Sequence, residues 1–116
     1  MNEFLLIFRS GHNPDAPAPS PEQMQTVSQV WIDWMKHLEA QQKLVNRGSR
    51  LYGSGKVVRP EGIVTNGPYV EVKEAIGGYT IITASSLDEA AEISKGCPIF
   101  NAGGTVEVRE LVPVKM

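Results

Sequence analysis

Apolar positions along this chain repeat with two periods, and the places where the period changes predict most of the elements. Phe4-Leu5-Leu6-Ile7-Phe8 is continuously apolar and closed by Arg9-Ser10-Gly11. As a strand it puts Phe4, Leu6 and Phe8 on one face and Leu5 and Ile7 on the other, so both faces need cover. GHNPDAPAPSP follows, and Pro14, Pro17, Pro19 and Pro21 block helix and ladder alike. This long loop reads either as a flap over a site or as a plain connector. Ser20-Pro21-Glu22-Gln23 then opens a helix: Ser20 caps it, Pro21 suits its first position, and Gln23 completes a capping box. Met24, Val27, Trp31, Trp34, Met35 and Leu38 recur at spacings of three and four. They form one apolar stripe on a helix that should reach about Gln42.

Leu44 to Leu51 is a poorly patterned second strand, broken by Gly53-Ser54-Gly55. Lys56–Arg59 and Ile63-Val64 flank Pro60-Glu61-Gly62 as a hairpin. Asn66-Gly67-Pro68 is a turn, and Gly77-Gly78 leads into a strand at Tyr79-Thr80-Ile81-Ile82-Thr83. Ser86-Leu87-Asp88-Glu89 repeats the capping-box pattern. The helix it opens should turn Leu87, Ala90, Ala91, Ile93 and Ser94 inward and stop at Gly96, ahead of Pro98. Thr105 to Val112 alternates as a last, half-exposed strand.

The order is β-α-β, a hairpin, then β-α-β, which is the split βαβ or ferredoxin-like α+β arrangement with an antiparallel sheet. Two helices cover only one face of such a sheet. The first strand therefore asks for a second layer, and the economical one is another copy of the chain, a symmetric homodimer packed sheet to sheet. The 116 residues suit one domain, residues 1–116.

Composition narrows the function classes. At 41% apolar and 21% charged residues the chain should fold. A net charge of −2 argues against nucleic-acid binding. No apolar run reaches the roughly 18 residues of a membrane span, and MNEFLLIFRS is too short and too acidic for a signal peptide. With one cysteine, Cys97, an internal disulfide is excluded, and the expected location is the cytoplasm. Arg47, Arg50, Lys56 and Arg59 cluster in sequence, either as a solvated hairpin edge or as an anion site.

The residues that could carry chemistry are few. His12, His37 and Cys97 are the imidazole and thiol groups, and no two lie at ligand spacing, so no metal is expected. Gly77-Gly78 lacks the spacing and lysine of a phosphate loop, and no cofactor is called for. Cys97, after a helix C-terminus, is expected to be a structural thiol. His37 sits at the flank of the helical stripe, where it can either reach a cleft as a general base or be an ordinary boundary residue. Glu71, Lys73 and Glu74 could supply acid, base or anion contacts, or simply hold a charged loop in shape. One of the two tryptophans could stack on a ligand; otherwise both are core.

The stretch TNGPYVEVKEAIGGYTII (65–82) resembles the signature of the YCII-related proteins, in the branch called DGPF. That signature is an Asp-Gly-Pro-Phe turn, a Glu, a Lys-Glu pair, Gly-Gly and a strand. The matching positions are Gly67, Pro68, Glu71, Lys73, Glu74, Gly77, Gly78 and Tyr79. FLLIF, SPEQM, GCP (96–98) and VEVRELVPV extend the resemblance over nearly the whole chain. It implies a dimeric α/β-barrel on the ferredoxin-like fold, with a pocket between sheet and helices. A His–Asp pair has been proposed as the active site in the YCII branch proper, and neither His12 nor His37 lies in a matching motif. For the DGPF branch the resemblance brings no settled activity, and some relatives occur with or fused to sigma factors. Asn66 replaces the usual Asp and Tyr69 the usual Phe; Asn66 still caps a turn but cannot ionise.

The expectation is a homodimer whose cleft binds a small molecule, with lyase- or isomerase-like acid/base chemistry as its catalytic form. His37 and Glu74 are the candidate catalytic residues; Lys73, Arg109, Asn66 and Tyr69 are the candidate substrate-binding residues. The alternative is a non-catalytic regulatory or accessory module acting through a protein partner. A concave pocket containing His37 or Glu74 beside Arg109 would favour ligand binding, and one filled by Trp31, Trp34 and Tyr79 would oppose catalysis.

Overall fold

Alternation along the first strand decides which side of the sheet becomes the core. In the computed structural model, which describes residues 1–9, 19–67 and 75–114, strand β1 (Asn2–Arg9) turns Phe4, Leu6 and Phe8 inward. Its neighbours on either side are β5 (Ile76–Ala84) and β6 (Thr105–Glu110), both antiparallel to it. Strand β2 (Leu44–Arg50) lies on the far side of β5. The sheet order β2-β5-β1-β6 is the ferredoxin-like one. Strands β3 (Lys56–Arg59) and β4 (Ile63–Asn66) pair with each other as a separate hairpin around Pro60–Gly62.

Helix α1 (Pro21–Ala40) begins as its sequence dictates. The Ser20 hydroxyl accepts from the Gln23 amide at 3.1 Å, and the Ser20 amide donates to the Gln23 side chain at 2.8 Å. The helix stops two residues short of Gln42, which adopts φ 60° while the Lys43 amide donates back to the Leu38 carbonyl. Only its second half packs: Trp34 and Leu38 are buried, whereas Met24 and Val27 remain more than half exposed. Periodicity selects the apolar stripe, but Met24 and Val27 are not among the residues packed against the core.

Helix α2 (Leu87–Ser94) is capped by the Ser86 hydroxyl, which accepts from the Glu89 amide. The expected reciprocal bond is displaced by one residue: Glu89 accepts instead from the hydroxyl and amide of Ser85. These bonds, the hydroxyl first, hold its carboxyl below the usual value. Ala90 and Ser94 face inward as expected, but Leu87 and Ala91 are exposed, because so short a helix lays only one narrow stripe on the sheet. The last strand ends at Glu110, before Val112.

The weak pattern of β2 has a structural cause. Register shifts on both sides of Asn46 interrupt its pairing with β5, and each shift resets the period of two. Gly48 makes the second shift possible: it sits at φ 71°, its amide donates to Asn46 Oδ1 at 2.7 Å, and a Cβ there would overlap the Tyr79 carbonyl. Gly103 has nearly the same φ, 75°, but faces open space. Gly103→Ala should therefore cost only the left-handed backbone strain, about 1–2 kcal/mol. Gly48→Ala adds a collision with the neighbouring strand and should exceed about 3 kcal/mol in urea unfolding. Equal losses would refute this account of β2.

Candidate functional site

A cleft of about 560 Å³ opens between the middle of α1 and the β2–β5 side of the sheet. Three local features produce it. Phe8, Trp31 and Trp34 meet edge-to-face, with centroids 5.1 Å apart for Phe8–Trp31 and 5.9 Å for the two tryptophans. This cluster fixes the helix over the sheet and leaves Trp31 partly exposed at the cleft base. Opposite it, β5 contributes Gly77 and Gly78. Gly78 faces the same side as its partner Phe8, yet β2 passes so close that a Cβ at 78 would meet the Ser49 carbonyl oxygen at 2.8 Å. At Gly78 that wall is consequently bare backbone. The third feature is the rim, Arg47 to Arg50, held in place by the Asn46–Gly48 turn and by Thr80 Oγ1, which donates to the Arg47 carbonyl at 2.9 Å.

Charge at the rim is positive. Arg47 is paired with Glu39 at 3.3 Å in an exposed bridge, worth little by itself. Arg50 has no ion-pair partner among the described residues, and no Asp, Glu, His, Cys or Lys is among those that line the cleft. Trp31 lines this space without filling it, and Tyr79 borders it from a strand position paired with Ile7, on the alternation opposite Phe8 and Gly78. Met35, Ile99 and Val27 add apolar surface, and Ser28 and Ser49 complete the lining.

The structure places the described candidates apart. His37 is exposed on α1 and does not line the cleft. Arg109 lies on the sheet face turned away from the helices, where it pairs with Glu107 at 3.3 Å. Asn66 ends the hairpin; its Oδ1 accepts from Lys56 Nζ at 2.9 Å beside a separate open hollow formed with Gly53–Gly55. Tyr69, Lys73 and Glu74, with Glu71 and most of the proline-rich loop, lie outside the described residues. The last described pair of β1 and β5 is Arg9 with Ile76, next to Phe8 and Gly77 of the cleft lining. The sequence signals at the cleft were Arg47 and Arg50, from the basic cluster that could be an anion site, and Trp31, from the tryptophans one of which could stack on a ligand. Ser28 and Ser49 carried none.

Among the described residues, no three His, Cys, Asp or Glu side chains group as metal ligands, and no helix is long and apolar enough to cross a membrane. Cys97 is buried between α2 and the Pro98–Ala102 turn.

Fold and cleft together define a small ferredoxin-like α+β protein with a ligand-sized pocket under its first helix. The chain belongs to the YCII-related domain family, whose model matches residues 10–115. Comparison with curated protein sequences gives no match. Among solved structures, the chain is similar to the 5-chloro-2-hydroxyhydroquinone dehydrochlorinase TftG of Burkholderia phenoliruptrix AC1100, determined in complex with 2,5-dihydroxybenzoquinone. The identity is 19% and the TM-score 0.46, over 94% of this chain and 93% of that one.

Burial pushes the Cys97 thiol from 9.0 up to about 11, partly opposed by the Ile99 backbone. The folded state thus favours the protonated form. Its contribution is complete below pH 9 and should fade as pH rises toward 11, by about 2–3 kcal/mol. Native protein should resist iodoacetamide at pH 8 and react once unfolded in urea; rapid native labelling would contradict the burial argument.

Proposed function

We propose that this protein binds a small molecule in the cleft under α1 and works as a homodimer. The cleft itself supports the first part: its volume falls within the roughly 300–1,000 Å³ of small-molecule sites, and its base is aromatic while its rim is polar. A lyase- or isomerase-like turnover would need an acid or base there. Glu74, beside Lys73, is the preferred candidate because the chain returns from that segment at Ala75, just ahead of Gly77 in the cleft wall. His37 is the second candidate, since it is exposed on α1 and does not line the cleft. An accessory module without a ligand draws on no observation as specific as the cleft.

The homodimer is supported by the outer sheet face. Leu5, Ile7, Tyr79 and Ile81 are neighbours there and are partly exposed. Glu107 lies between Arg9, at 3.4 Å, and Arg109, at 3.3 Å, so acid and base flank the apolar centre. A two-fold axis through such a face sets apolar against apolar and lets each charge meet its opposite. Arg109 is then an interface residue.

Thermal-shift screening against a metabolite library tests the cleft. A ligand at saturation should raise the melting temperature by several degrees. Ser28→Phe, which puts a ring into the cleft from an exposed helix position, should abolish the shift. A shift that survives Ser28→Phe, or a library without a stabilising compound, would sink the reading. With a ligand in hand, loss of turnover but not of binding in Glu74→Gln would identify the acid–base group, and unchanged turnover would remove Glu74 from that role.

For the dimer, light scattering should give twice the mass of one chain. Ile7→Asp should give the monomer with its helical circular dichroism intact. A wild-type monomer at micromolar concentration would overturn the assembly.

A further inference from the structure

The cleft has an asymmetry that bears on what it takes, and this inference rests on the small-molecule reading above. We propose that its ligand is a flat aromatic anion, an arene carboxylate or phenolate, with its ring against Trp31 and its charge at Arg50.

The flatness follows from the two walls. On one side Gly77 and Gly78 carry no side chains, and the close passage of β2 forbids any at 78. On the other, Trp31 is the outermost ring of a cluster whose members all meet edge-on, at interplanar angles of 70° to 83°. Part of its surface is therefore left to the cleft, between backbone and indole. Stacking and edge contacts favour a ring there over an aliphatic body of equal size.

The charge follows from what lines the rim. Arg47 and Arg50 are the charged residues among the described lining, and Arg47 is already engaged by Glu39. Arg50 has no ion-pair partner among the described residues, so its fork is available to a carboxylate. The Gly48 amide is already committed to Asn46 Oδ1 and cannot help to cradle a phosphate. The local field is positive although the chain as a whole carries −2. A guanidinium at the mouth and a ring-lined slot behind it match a molecule that is apolar along one plane and negative at one end.

Calorimetry on the full chain with three probes tests this: 2-naphthoate, its neutral counterpart 2-naphthamide, and the aliphatic cyclohexanecarboxylate. 2-Naphthoate should bind about tenfold or more tighter than either of the others. Arg50→Gln should remove most of that advantage and leave 2-naphthamide unchanged, while Ser28→Phe should abolish all binding. Equal affinity for acid and amide, or full retention in Arg50→Gln, overturns the anion assignment. Cyclohexanecarboxylate binding as tightly as 2-naphthoate overturns the aromatic one. In those cases binding that Ser28→Phe still blocks leaves the cleft as a small-molecule site. Silence from all three probes overturns this proposal, and a library screen that is also silent removes the small-molecule reading with it.

Discussion

The close approach of β2 to β5 shapes more of this protein than any other contact. Gly48 and Gly78 lie where the two backbones leave no room for a Cβ, one beneath the Tyr79 carbonyl and the other against Ser49. With that constraint go the second register shift of β2, the turn in which Asn46 holds the Gly48 amide, and the presentation of Arg47 to Arg50 along the rim. The same constraint leaves bare backbone at Gly78 in one wall of the cleft. A sheet with ordinary side chains at these positions would have to spread, and the space beneath Trp31 would fill.

The second organising feature is a strand apolar on both sides. Helices α1 and α2 cover Phe4, Leu6 and Phe8, while Leu5 and Ile7 share the other face with Tyr79 and Ile81. Among the described residues, α1 and α2 make one helical layer. The proposed sheet-to-sheet pairing answers that deficit and would leave the cleft, on the helix side, free for a ligand. On these proposals, assembly and binding would use opposite faces of the same sheet.

Much of the fold was legible because it rests on local chemistry. Ser20 and Gln23 specify the start of α1, Pro60-Glu61-Gly62 the hairpin, and the alternation in β1 its inward face. The misjudged details are those set by neighbours. Met24 and Val27 follow the helical stripe but extend beyond what lies beneath it, and Leu87 continues a pattern that a short helix does not bury. The candidate site was less legible. Arg47 and Arg50 were conspicuous as charges, yet whether such a cluster edges a hairpin or a cleft depends on how β2 bends. His37, Asn66 and Arg109 looked equally eligible in one dimension and occupy a helix surface, a hairpin end and the outer sheet face.

By itself, then, the amino-acid order determined the elements and their succession. These follow from short-range periodicity, caps and turns, which act between residues a few positions apart. The motif around Gly67-Pro68 and Gly77-Gly78 marked the family. Only the tertiary structure decided where the cleft lies and which charges border it. Phe8, Trp31, Arg50 and Gly78 are far apart along the chain, and they meet because strand pairing places Phe8 beside Gly78 and Gly78 beside Arg50, while the ring cluster brings α1 over them. Contacts of that kind are fixed by packing, and no local pattern encodes them.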